Sequence, residues 1–368
     1  MSDNKQRHYT IHAALQRLYG QPTGNRARHV NTLAALISGI VGSKRTNLPA
    51  VAGQAPCTAK RESRVKQFAR WVANQHVDAD LYFLPFAEAL LVSLAHRPLV
   101  LIMDGSEVGR HCLALLVSVV YQGRALPVAW LVVQGCKGHF PEDTHVALIA
   151  QVQALLPPAA QVIFLGDGEF DGITLQATLA GWGWQYVCRT AQSVILGEEG
   201  EEFTLAQLGV TPGQCLSLPG VTFTRQGYGP VHAIAWWREG DKEPIYLITS
   251  MELAGEACYW YTRRFRIETF FSDQKSRGFH LHKSHLSDPG RLARLMIAAC
   301  LAYIWIVQLG ARAVQDSWLP IIHRTDRCDL SLFQLGLRLL DHFENEDMPI
   351  PVAFQMPELV GSSKSVRY

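Results

Sequence analysis

Tyr261, Arg264, Glu268 and Lys275 lie in Tyr261-Thr262-Arg263-Arg264-Phe265-Arg266-Ile267-Glu268-Thr269-Phe270-Phe271-Ser272-Asp273-Gln274-Lys275, a stretch with no helix breaker that is followed by Gly278, a fitting C-cap. At about 100° per residue the four fall at roughly 0°, −60°, −20° and −40°. One phenol, two cations and one carboxylate therefore share a sector about 60° wide on a single helix. Ile267 and Phe270 point away towards a core, and Phe271 lies at the sector's edge. A carboxylate among phosphate-binding groups reads as a metal site that works on a polyanion. The competing reading is a solvated face with Arg264 and Glu268 as an i,i+4 pair.

Two further carboxylates decide between these readings. Asp104 follows the apolar run Leu99–Met103, and Asp167 follows Val162–Leu165 with only Gly166 between. In an open α/β sheet, strand ends are where sites are built. If the two strands are neighbours, the aspartates stand side by side and Glu268 completes the set from its helix. Three such oxygen ligands suit Mg²⁺, with Mn²⁺ able to substitute. Arg264 would grip phosphate oxygens with a bidentate fork, and Lys275 as a point charge. Glu107, Glu169 and Asp171 are rival carboxylates, but each lies further from its strand end.

The elements that must position these residues follow from the pattern. Helices are expected at Ile11–Leu18, Val30–Val41, Ala59–Val72 and Pro85–Ala95, with basic loops at residues 24–28 and 42–49. After Pro98 come strands at Leu99–Met103, Leu113–Tyr121 and Ala125–Val133, the last two around the turn Gln122-Gly123-Arg124. A helix over Thr144–Leu156, a strand at Val162–Leu165, a helix over Ile173–Ala180 and a strand at Gln185–Arg189 follow. That order predicts an α/β fold with a mixed sheet covered by helices. Residues 191–250 read as a β-rich insertion, with strands at Thr222–Thr224, Ala233–Trp237 and Tyr246–Thr249. The chain is helical again from Leu292, and Ser331 to Gln334 forms a capping box for a helix over Leu332–Phe343. The expected division is a basic helical DNA-binding domain at 1–78, a catalytic core at 79–190 and 251–310, the insertion at 191–250, and a helical C-terminal region at 311–368.

The net charge of +2 conceals an asymmetry. Residues 1–70 hold twelve basic residues against Asp3 and Glu62, a surplus of ten, so the remainder carries a net −8. A basic N-terminal segment on an acidic body points to nucleic acid. Lys60, Arg61 and Arg64 at the start of the third helix are candidate DNA contacts. The eight cysteines contain no C-x-x-C pair and read as reduced thiols of a cytosolic protein. The longest apolar run, Leu295–Val307, falls short of the roughly 20 residues of a membrane span and is expected to be a buried helix. His280, His282 and His285 lack Cys or carboxylate partners at ligand spacing; phosphate contact or plain exposure is the preferred reading.

The spacing Y-x2-R-x3-E-x6-K matches Tyr261, Arg264, Glu268 and Lys275 at every position. It resembles the signature of the bacterial DDE insertion-sequence transposases of the IS-Four type, whose core is ribonuclease-H-like, and the likeness covers roughly residues 98 to 310. The resemblance assigns Asp104, Asp167 and Glu268 as the catalytic, metal-holding carboxylates. It also implies that Tyr261, Arg264 and Lys275 bind phosphates near a transposon terminus. An aromatic of the insertion, Trp236 or Trp237, would hold a flipped base. Phe265 is a departure, because many relatives carry Trp there. Implied partners are terminal inverted repeats and target DNA, joined by a homodimer on paired ends in a cytoplasmic, nucleoid-associated setting without a membrane. Cut-and-paste transposition is the implied activity. A DNA-binding relative without catalysis and a simple nuclease of the same fold are the alternatives.

Overall fold

The computed structural model describes residues 3–56, 59–135, 139–324 and 328–359. Six helices come first: α1 (Asp3–Tyr19), α2 (Gly24–Ser43), α3 (Leu48–Gln54), α4 (Arg61–Ala73), α5 (Ala79–Tyr82) and α6 (Leu84–Leu94). Residues 24–28, expected as a loop, form the first turns of α2, whose long apolar body carries the helix back through them. Asn47 caps α3 through its side chain, an element too short for its periodicity to show.

The sheet begins with β1 (Leu99–Gly109), β2 (Cys112–Tyr121) and β3 (Arg124–Gln134), paired antiparallel in sequence. After α7 (Glu142–Gln153), β4 (Val162–Gly166) joins β1 in parallel; after α8 (Ile173–Gly181), β5 (Gln185–Arg189) joins β4 in parallel. The order β3-β2-β1-β4-β5 is the ribonuclease-H-like mixed sheet expected from the sequence. Residues 191–250 then extend this sheet. Strands β6 (Ile195–Glu198), β7 (Glu201–Thr204), β8 (Cys215–Phe223), β9 (Tyr228–Trp236) and β10 (Ile245–Thr249) continue it as β5-β10-β9-β8-β6-β7. Ten strands thus form one surface, with β10 antiparallel to β5 at the junction.

Four helices follow: α9 (Ala254–Tyr261), α10 (Arg266–Gln274), α11 (Pro289–Gln315) and the short α12 (Leu319–Ile322). The last, α13 (Leu332–Asn345), opens on the expected capping box of Ser331 and Gln334. The apolar run at 295–307 belongs to α11, which at 27 residues is long enough for a span. It is nevertheless a core helix. Its most apolar stretch is 89 % buried, with α2, α4, α13 and β3 packed around it. Gly310 of α11 and Gly336 of α13 let the two backbones touch, since a Cβ on either would strike the other helix's main chain. Arg7 of α1, buried, ties the two ends of the chain together by pairing with Glu344 of α13.

Candidate active site

Asp104 does not end its strand, as the apolar run led one to expect. β1 runs on to Gly109 along β2, whereas its parallel pairing with β4 stops at Ile102 opposite Leu165. Two residues further along stand Asp104, still within β1, and Asp167, just past the end of β4. Because side chains alternate, both project on the same face as Ile102 and Leu165. The neighbouring strands required for a carboxylate pair are therefore present. One oxygen of each aspartate is fixed locally: Asp104 Oδ1 accepts from the Gly105 N–H at 2.8 Å, and Asp167 Oδ1 from the Glu169 N–H at 3.0 Å. The other oxygen of each turns towards Arg264.

The segment bearing Arg264 is not one continuous helix. α9 ends at Tyr261, and i→i−3 bonds carry the chain into α10, among them Arg264 N–H to the Tyr261 carbonyl at 3.0 Å and Glu268 N–H to that of Phe265 at 3.2 Å. This tighter winding, close to three residues per turn, keeps Tyr261 and Arg264 on one side while needing no Gly or Pro. Ile267 and Phe270 are buried as expected, and Phe271 lies at the edge of burial. Arg264 lies against the Phe265 ring at 4.4 Å, so the aromatic at this position supports the guanidinium.

Arg264 is the hub. Its Nη1 lies 3.6 Å from Asp104 Oδ2 and 3.9 Å from Asp167 Oδ2, and its Nη2 lies 3.4 Å from Glu268 Oε1. Three carboxylates from β1, the end of β4 and α10 thus surround one cation. The i,i+4 pair of the competing reading exists, but as one edge of this group. Burial, then the charge of Asp167, pushes the Asp104 carboxyl up to about 7 even with Arg264 beside it. Lys275, the C-cap of α10, donates to Ser106 Oγ at 2.7 Å; burial lowers its ammonium while Glu107 and Asp104 hold it up. The Tyr261 ring is buried, and burial pushes its phenol up to about 12 beside Arg264, Arg189 and Asp167.

The rival carboxylates are engaged elsewhere. Glu169 accepts from the Phe140 N–H at 2.6 Å and faces His139 and His145; Asp171 accepts from Thr190 Oγ1 at 2.6 Å. A cleft of about 590 Å³ opens beside Asp167 and Arg264 and is also lined by Arg189, Thr190 and Tyr246. Arg189 was missed from sequence, although it ends β5 as Asp167 follows β4.

The aromatic and N-terminal candidates lie apart from this group. Trp236 ends β9, four strands from β1, about 19 Å at ordinary strand spacing. The Arg238 guanidinium covers its ring at 5.1 Å, while the Trp237 indole donates to the Asp241 carbonyl at 3.0 Å. Arg61 donates to the Pro49 carbonyl at 2.8 Å and Arg64 to that of Ala55, so the two tether α4 to the start and to the end of α3; Lys60 is exposed. His282 and His285 are exposed and His280 half-buried.

Among the described residues, no three His, Cys, Asp or Glu side chains stand as a ready metal cage. The Arg264 guanidinium lies between the three carboxylates and supplies the positive charge there. The donor set is all oxygen, and burial, with the Asp167 charge second, makes ionisation of Asp104 costly, a cost that a hard divalent cation would relieve. The residues therefore fit a hard divalent cation.

No match was found among curated proteins. Among solved structures, the cryo-EM structure of the piggyBac transposase synaptic complex with hairpin DNA is similar at 9 % identity and a TM-score of 0.44, over 98 % of this chain and 85 % of that one. The crystal structure of human ENDOV is similar at 14 % identity and a TM-score of 0.26, over 60 % of this chain and 95 % of that one. Neither value bears on activity. A family model described as "Transposase DDE domain" matches residues 97–305, more than half of the chain and the whole stretch from β1 to the body of α11. On that match, the chain belongs to the transposase DDE domain family.

Proposed function

We propose that this protein is a DNA transposase that cleaves the ends of its own element and joins them to target DNA. The observation that carries the reading is the convergence of Asp104, Asp167 and Glu268, from three separate elements, on one guanidinium. These carboxylates would hold Mg²⁺, or Mn²⁺ in its place. When bound, the ion supplies activation of a water or 3′-hydroxyl and neutralisation of the leaving oxygen in an in-line phosphoryl transfer.

The chain's own groups do the rest. Arg264 is placed to exchange its carboxylate contacts for a substrate phosphate, and Lys275 adds a point charge beside Asp104. The buried Tyr261 ring packs edge-on to the Phe265 ring, against which Arg264 lies, so its part at the phosphate would be to hold that support. The His280 N–H donates to the Lys275 carbonyl at 3.0 Å, and the His280 carbonyl accepts from Thr46 Oγ1 at 3.3 Å, which links the site to the basic loop between α2 and α3. On this reading the basic N-terminal helices, with Lys60 at their surface, grip the terminal repeats through phosphates. Trp236 or Trp237 would stack a displaced base across the sheet, and a homodimer would hold paired ends.

Glu268→Gln in the full-length protein tests the reading. Cleavage of duplex DNA carrying the element's ends should fall by about 10³-fold or more, while end binding stays within about twofold. Appreciable cleavage by this variant would remove Glu268 from the site. Strand-transfer products from the wild type separate a transposase from a simple nuclease.

A further inference from the structure

We propose that a second hollow, lined by Arg97, Arg263 and Arg266 and rimmed by Tyr259 and Trp260, binds a backbone phosphate of the same DNA whose end reaches the carboxylates. The proposal rests on the transposase reading and deepens it. The hollow measures about 540 Å³ and lies between the α9–α10 turn, the start of β1 and the β2–β3 turn. No Asp or Glu lines it. Among the described residues, none of the three arginines forms an ion pair. Two carboxylates of neighbouring elements are engaged otherwise: Glu256 accepts from the Trp260 indole at 3.2 Å, and Glu358 faces His96 at 3.9 Å.

Two of the guanidinium groups are held in place, Arg263 by rings and main chain and Arg97 by a ring. Arg263 lies over the Tyr259 ring at 3.4 Å and the Trp260 ring at 5.3 Å, and donates to the Tyr259 carbonyl at 2.5 Å. Arg97 lies 5.6 Å from the Tyr121 ring. Burial, then the charges of Arg263 and Arg124, destabilises the Arg266 cation. Cations gathered in one hollow with, among the described residues, no ion-pair partner make a site complementary to an anion. Tyr259, 53 % exposed, adds an aromatic face of the kind on which bases stack.

Position selects DNA as the source of that anion. Val100, in the lining, projects from the same face of β1 as Asp104, four residues and about 13 Å away. That distance matches about four base steps at roughly 3.4 Å each. A duplex whose terminus lies at Asp104 and Asp167 therefore brings an internal phosphate over the hollow.

The test uses full-length protein and a labelled DNA duplex. Arg263→Gln/Arg266→Gln should weaken binding about tenfold and reduce the slope of log affinity against log salt by about 0.9, the value for one phosphate no longer neutralised. Arg312→Gln, which removes a partner of Asp316 on α11, should leave that slope unchanged. A photo-crosslinking residue at position 259 should capture the labelled strand without any loss of arginine. An unchanged slope, an equal loss in the Arg312 variant, or an adduct with a second copy of the chain in place of DNA would each overturn the assignment. If the wild type binds through these arginines yet never cleaves, the phosphate site stands and the catalytic reading fails. If it cleaves while slope and crosslink are absent, the site alone fails.

Discussion

Arg263 and Arg264 are consecutive in sequence and opposite in circumstance. Arg264 stands within 3.4–3.9 Å of three carboxylates, whereas Arg263 lies on an aromatic ring and, among the described residues, forms no ion pair. At Arg264 the chain supplies an excess of anion, so the complementary partner is a cation. At Arg263 and Arg266 the described residues supply no ion-pair partner, so the complementary partner is an anion. An identical side chain therefore marks two kinds of site, and the neighbours brought by other strands and helices decide which.

The sharpest way to break this contrast is Arg264→Gln. It removes the cation from among three carboxylates while leaving all of them in place. Cleavage should fall about 10²- to 10³-fold, the scale of losing one positioned donor on a reacting phosphate. In chelator the variant should also melt below the wild type, and its melting temperature should rise more steeply with added Mg²⁺, because the ion would replace the lost charge. Equal Mg²⁺ responses in variant and wild type would mean that Arg264 and the cation serve unrelated places.

The Arg264 site was legible because its four signature residues lie within fifteen positions and its aspartates follow runs that could only be strands. The pairing of Ile102 with Leu165, which sets the aspartates side by side, was open in the sequence and is decided by sheet order. The break between α9 and α10 was not legible. Its 3₁₀-like turns use ordinary residues, and the burial of Tyr261, Ile267 and Phe270 on both sides selects it. The strands β6 and β7 escaped notice because Glu198-Glu199-Gly200-Glu201-Glu202 shows no apolar alternation. The N-terminal charge surplus was real, but composition could not say that Arg7 finds Glu344 some 337 positions away.

Arg7 is the third case, a guanidinium for which the chain supplies its own anion. It pairs with Glu344 and donates through Nε to the Ser38 carbonyl and hydroxyl at 3.1 Å. Arg7→Met should cost about 3–5 kcal/mol in urea unfolding by stranding a mostly buried carboxylate. Arg7→Met/Glu344→Leu should recover most of that loss. No recovery would place the stability in Arg7's main-chain contacts rather than in the pair.

Asp273 gives a smaller effect with a defined sign. It accepts from Arg124 at 2.8 Å, yet burial outweighs the pull of Arg124 and Arg277 and pushes its carboxyl to about 6 from an ordinary 3.8. Between those values the folded chain keeps a proton that the unfolded chain has released. Its contribution is therefore fully present below about pH 4 and is lost as pH rises through 6. Asp273→Asn should flatten the fall in stability across that window by on the order of 2–3 kcal/mol. Identical slopes in variant and wild type would show that Arg124 holds Asp273 ionised throughout.

The smallest effect carries the contrast furthest. Without DNA, Arg263→Gln/Arg266→Gln removes two cations whose charges oppose each other and which, among the described residues, form no ion pair, so stability should stay level or rise by less than about 1 kcal/mol. The gain should be largest at low ionic strength and fade as salt screens the repulsion. Arg264→Gln moves the opposite way in the same buffer, because there the cation is the relief rather than the burden. If the double variant loses stability as Arg264→Gln does, then Arg263 and Arg266 serve packing through Tyr259 and Trp260. The two arginine environments would then differ in degree and not in kind.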